Sequence, residues 1–165
     1  MALMLDLQVA SDAVDLPGDD TLERWVAAAL RGGRGHPDND DLDTELTIRI
    51  VDADEGLLLN QRYRGHAGPT NVLSFPFEPP PGVDEPLPLL GDLVICAPVV
   101  AREAAEQGKT LDAHWAHMVV HGVLHLIGHD HQDLAEAETM EALETLILDA
   151  LGFPPPYATD PEDNA

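Results

Sequence analysis

The sequence predicts an α+β fold, a small mixed β-sheet packed with helices, on three grounds. Strand-like alternation gathers in the first hundred residues, helical periodicity takes over from Pro98, and no apolar stretch is long enough to span a membrane. A chain of 165 residues can bury one core of useful size, so residues 1–152 are expected to form a single domain.

Residues 3 to 10 alternate loosely and suit a first strand. Pro17-Gly18-Asp19-Asp20 turns the chain, and Asp20 with Glu23 resembles a capping box. Leu22, Trp25, Val26, Ala29 and Leu30 follow helical spacing. This first helix is expected to end at Arg31-Gly32-Gly33-Arg34-Gly35, read as a polar loop. Thr44 to Val51 alternates around Leu46, Ile48 and Ile50 and gives a second strand. Asp52 to Arg64 reads as a short helix that delivers Asn60, Arg62, Tyr63 and Arg64 to its end. Asn71-Val72-Leu73-Ser74-Phe75-Pro76-Phe77 has strand-forming residues, but Pro76 lacks an N–H and confines it to a sheet edge or strand end. Leu89 to Ala97 is the fourth strand. The lone Cys96 within it excludes an internal disulfide and fills a buried position without chemistry.

Val99, Val100, Ala104 and Ala105 then form one helix, and Thr110 caps the next. Leu134, Met140, Leu143, Ile147 and Leu151 mark the last helix, and Phe153 to Ala165, rich in proline and acid, is expected to be a disordered tail. The first residues lack a basic region and a long apolar run, so a cytoplasmic protein is expected.

Chemistry concentrates in His121-Gly122-Val123-Leu124-His125-Leu126-Ile127-Gly128-His129-Asp130-His131. Two histidines four apart share a helix face, so His121 and His125 can offer nitrogens to one ion. Gly128 can end the helix in the left-handed conformation and let a third ligand, His131, swing back. Three protein ligands leave a position open, the arrangement of catalytic rather than structural zinc. The spacing is that of the metzincin proteases, yet Gly122 stands where their general-base glutamate belongs, which argues against peptide hydrolysis. His129 is expected to line the site, though it could replace His131. His114 and His117 lie on the same face one and two turns earlier and are expected to support the site rather than ligate. Met140 is expected in the core.

Thirty-one acidic against eight basic residues give a formal net charge of −23, which opposes general attraction to nucleic acid. Any such role must be local. Three neutral imidazoles would leave the full charge of a zinc ion at the site, and Arg64 offers a planar fork of donors to a phosphate. Asp130 and Glu141 are candidates to move a proton, though each also reads as an ordinary solvated carboxylate.

Asn71-Val72-Leu73-Ser74-Phe75-Pro76, Gly91-Asp92-Leu93-Val94-Ile95 and the His121 to His131 run, in that order, resemble the YbeY endoribonuclease family over most of the chain. The resemblance implies a single-strand-specific, zinc-dependent endoribonuclease with one Zn2+ ion. It would act in rRNA processing at the 3′ end of 16S rRNA and in ribosome quality control, with the ribosome or small subunit as partner and neither membrane nor DNA. It places the zinc ligands on His121, His125 and His131 and a functional arginine on Arg64. His129 stands where many relatives carry tyrosine. Two other readings remain: a ribosome-binding assembly factor whose zinc is mainly structural, and a metalloprotease.

Overall fold

The alternating segments assemble into one sheet. A computed structural model describes residues 3–34, 43–64, 71–78, 81–82, 89–129 and 133–156. Its strands are β1 (Leu3–Ala10), β2 (Thr44–Val51), β3 (Val72–Pro76) and β4 (Leu89–Cys96), in the order β1-β2-β4-β3. β2 runs parallel to both β1 and β4, whereas β3 is antiparallel to β4, so the sheet is mixed. The period of two sorts side chains between faces. Leu46, Ile48, Ile50, Leu93 and Ile95 join the larger core, while Val51, Leu73, Val94 and Cys96 join a smaller one with Val99. β3 is an edge strand, as Pro76 requires. Opposite Pro76 sits Gly91 at φ 141°, where a Cβ would run into the Phe75 carbonyl oxygen.

The described residues also form five helices: α1 (Asp19–Arg34), α2 (Ala53–Arg64), α3 (Ala97–Gln107), α4 (Leu111–Leu126) and α5 (Leu134–Ala150). α1, α4 and α5 pack on one another, and α4 also lies against β3 and β4. Enclosed on these sides, α4 buries Trp115, Ala116, Val119, Val120, Val123 and Leu124 almost completely. No described helix is long and apolar enough to cross a membrane.

Two details of α1 differ from the sequence expectation. The helix starts earlier than a cap at Asp20 implies: the Leu22 N–H donates to the Gly18 carbonyl at 3.0 Å, and Asp19 and Asp20 both lie in the first turn, where carboxylates face the positive helix end. It also continues through Gly32 and Gly33 to Arg34, so those residues are not a loop; Gly35 lies outside the described residues. A Cβ on Gly32 would stand 2.5 Å from Ile147 Cγ1, and one on Gly33 would stand 2.5 Å from Ile127 Cδ1 and 2.6 Å from Leu124 Cδ2. The glycines are where α1 meets α5 and α4. A helical glycine costs about 1 kcal/mol relative to alanine, and close packing offsets it. Phe153, expected to open the tail, meets Trp25 edge-on with ring centroids 6.1 Å apart. Residues 157–165 lie outside the described residues.

Gly32→Ala should therefore destabilise the protein despite its better helix propensity, by about 1–2 kcal/mol, because overpacking a tight contact outweighs the propensity gain. Urea unfolding of the two proteins side by side measures the sign; a stabilised variant would show that α1 and α5 separate readily.

Candidate metal centre

α4 is fixed at both ends. At its start the Thr110 hydroxyl oxygen accepts a hydrogen bond from the Ala113 N–H at 3.1 Å, the expected cap. At its end Gly128 adopts φ 102°. The Gly128 N–H donates to the His125 carbonyl at 3.1 Å, and the His129 N–H donates to the Leu124 carbonyl at 2.9 Å. This pair of bonds is the Schellman stop that a left-handed glycine allows.

Between these stops, four histidines form a ladder on one helix face. Ring centroids are 6.0 Å apart for His114 and His117, 6.2 Å for His117 and His121, and 4.7 Å for His121 and His125. The first two are buried; His121 and His125 are partly open to solvent. Each buried ring is met by a carboxylate from a neighbouring helix. His114 Nε2 donates to Glu103 of α3 at 2.9 Å, and Asn71, just before β3, donates its amide to the same carboxylate at 3.1 Å. His117 Nε2 donates to Glu144 Oε2 of α5 at 2.5 Å, and His121 Nδ1 donates to the other oxygen at 3.4 Å.

Burial alone would raise the Glu144 carboxyl, but the hydrogen bonds from His117 and then His121 outweigh it and hold the group at about 2. Glu144 is therefore a carboxylate and acts as acceptor for both rings. With Nδ1 of His121 carrying the proton towards Glu144, its Nε2 is left with a lone pair, the form a metal ligand requires. Burial also pushes the His114 imidazole below the usual histidine range, only partly offset by the hydrogen bond to Glu103.

His117, His121 and Glu144 could hold a metal ion, since one donor atom from each lies within 4.8 Å of the others. As they stand, the closest pair is hydrogen-bonded. Two nitrogen or oxygen ligands at about 2.0–2.1 Å from a tetrahedral ion stand roughly 3.3 Å apart. The 2.5 Å separation of His117 Nε2 and Glu144 Oε2 is shorter, so an ion entering there must displace the proton and open the pair.

The remaining sequence candidates separate clearly. His129 Nε2 donates to the Gly33 carbonyl oxygen at 2.8 Å, which commits that nitrogen to α1. Glu141 is exposed, and Met140 belongs to the core. Arg64 is the last residue of α2, and its side chain lies outside the described residues, as do Asp130 and His131. Gly122 is buried against the sheet, where a Cβ would come within 2.7 Å of Leu93 Cδ2, and Ser74 of β3 donates to its carbonyl at 3.4 Å. The sheet occupies the place a protease's glutamate would need. Glu144 was missed from sequence, although a signal existed: it shares the buried stripe of Met140, Ile147 and Leu148 at helical spacing.

Residues 9–152 match the family described as Endoribonuclease YbeY. The chain belongs to that family. A YbeY relative from Alkalilimnicola ehrlichii, named Endoribonuclease YbeY, is 58% identical over 160 residues, covering 96% of this chain and 93% of the relative. The solution structure of TM1509 from Thermotoga maritima shares the fold with a TM-score of 0.55 at 24% identity, covering 94% of this chain and 97% of that one. The three sequence blocks that carry the YbeY resemblance meet around one helix: Asn71 binds the Glu103 that accepts from His114, Ser74 binds Gly122, and Leu93 packs under it.

In the metal-free protein Glu144→Gln should lower stability by about 1–3 kcal/mol near neutral pH, because it removes a charged acceptor from buried donors. The folded carboxyl sits near 2 against an ordinary 4.5, so its stabilisation is present above about 4.5 and is lost as pH falls towards 2. The difference between wild type and variant in urea midpoint should shrink across that window. A constant difference would mean that Glu144 is not ionised in the fold.

Proposed function

We propose that this chain is a zinc-dependent endoribonuclease specific for single-stranded RNA. It acts in rRNA processing, at the 3′ end of 16S rRNA, and in ribosome quality control, in the cytoplasm with the small ribosomal subunit as partner. The observation that carries the reading is the histidine ladder of α4 in a chain of the YbeY family, with Nδ1 of His121 facing the Glu144 carboxylate. His121, His125 and His131 would hold the ion. Bound there, zinc supplies Lewis-acid polarisation of a phosphoryl oxygen and acidification of water.

The chain's own residues do the rest. Glu144 keeps the His121 ring oriented, and the Schellman stop at Gly128 fixes where the chain leaves the helix after His125. Arg64 would clamp a phosphate oxygen with its guanidinium fork. In the assembly-factor reading a fourth protein ligand closes the site; His129, whose Nε2 is engaged by Gly33, could offer only its Nδ1 for that. Against the protease stands Gly122, which has no room for a base.

Cleavage of a labelled single-stranded RNA by wild type, His125→Ala and Arg64→Glu, each with its metal content determined, tests this. His125→Ala should lose both zinc and cutting. Arg64→Glu should keep zinc and lose about 100-fold or more in rate, as expected when a donor to a transition-state oxygen is removed. Cutting that survives loss of the metal would refute the reading and favour the assembly factor.

A further inference from the structure

A polar trough leads away from His121 along α4, past the groups that could hold an ion. Its first part is a cavity of about 400 Å3 lined by Asn71, Glu103, Lys109, His114, His117 and His121, among others. Its second, of about 270 Å3, is walled by Ala113, Leu148 and the three prolines Pro154, Pro155 and Pro156. Gln107, Lys109 and Pro156 line both, so the two are continuous with Lys109 at the junction. Eight residues of helix separate His121 from Ala113, or about 12 Å at 1.5 Å per residue.

Lys109 is the only lysine in the chain. It sits where the turn at Gly108 ends α3, its backbone N–H tied to the Ala104 carbonyl at 2.9 Å. Its ammonium makes no hydrogen bond or direct ion pair among the described residues. Burial pushes its pKa down, against the opposing pull of Glu103 and Glu144. Those carboxylates are already engaged by His114, His117 and His121. A half-buried cation without a direct partner is unusual in a chain of net charge −23. It is suited to an anion that arrives from outside. The rest of the acidic surface does not forbid this, because charges more than about 8 Å away are largely screened at physiological salt.

We propose that this trough is a subsite for the RNA strand flanking the scissile bond, with Lys109 on a backbone phosphate and bases against the prolines and the polar cavity wall. The proposal rests on the reading that RNA is the substrate. Glu103 lines the cavity and repels phosphate, while the exposed rings of Pro154 and Pro155 offer faces on which bases can lie. The trough therefore takes bases inside and phosphate at its lysine lip, as single-strand binders combine stacking surfaces with cationic contacts.

The test is binding of a fluorescent single-stranded oligoribonucleotide across a salt series, together with cleavage kinetics, for wild type, Lys109→Met and Lys109→Arg. Lys109→Met should bind about tenfold more weakly, with a log–log salt slope shallower by about 0.7, the value for one lost phosphate contact on a single strand. The loss should appear in KM with kcat unchanged, and Lys109→Arg should restore both affinity and slope. An oligomer cut back to the two nucleotides at the scissile bond should not distinguish the proteins. An unchanged slope in Lys109→Met, or an arginine variant as weak as the methionine one, would overturn the proposal. Binding is read without turnover, so a wild type that binds with the lysine-dependent slope but does not cut removes the nuclease reading and leaves the subsite standing.

Discussion

The structure depends on α4 serving as the central core helix while presenting a row of imidazoles. Most of its 16 residues are buried, including His114 and His117. A polar ring cannot be placed in such a helix without a partner, because burying an unmatched donor costs on the order of 1–3 kcal/mol. The partners come from the two helices packed beside it, Glu103 from α3 and Glu144 from α5. The packing of α3 and α5 on α4 is thus electrostatic as well as hydrophobic. Glu144, which pairs with Nε2 of His117, also faces Nδ1 of His121 in the open half of the ladder.

Much of this was legible in the sequence where one local signal dominates. Alternation located β1 and β2, strand-forming residues and an apolar run located β3 and β4, Pro76 fixed β3 at an edge, and Thr110 and Gly128 marked both ends of α4 through side-chain and left-handed caps. The same-face relation of His121 and His125 follows from helical geometry alone and appears as rings 4.7 Å apart. What escaped was set by tertiary contact. Glu144 is one of 31 acidic residues, and only its place in an apolar stripe separates it from solvated neighbours such as Glu141. Gly32 and Gly33 read as a loop because propensity counts the cost of a helical glycine and cannot see the Ile147, Ile127 and Leu124 side chains that need the space.

Gly122 shows the same distinction acting on function. From sequence its meaning was negative, a missing base. In the fold it has a positive cause, since α4 crosses β4 so closely that Leu93 fills the position a side chain would take, and Ser74 reaches the Gly122 carbonyl. Restoring a glutamate there would require the buried Leu93 side chain to shift. The histidine spacing shared with proteases is therefore carried on a helix whose packing forbids their chemistry.

The end of α4 joins these constraints. The Schellman stop orients His129, whose ring bonds to the Gly33 carbonyl, and the missing side chain of Gly33 is what lets Ile127 and Leu124 lie against α1. A Cβ at position 33 would also come within 3.7 Å of His129 Nε2. α1, whose sequence carries no candidate chemistry, is in this way coupled to the point at which the chain leaves the histidine ladder. Orientation in the open half of the ladder thus rests on two neighbours: a carboxylate of α5 for His121, and a glycine backbone of α1 for the turn after His125.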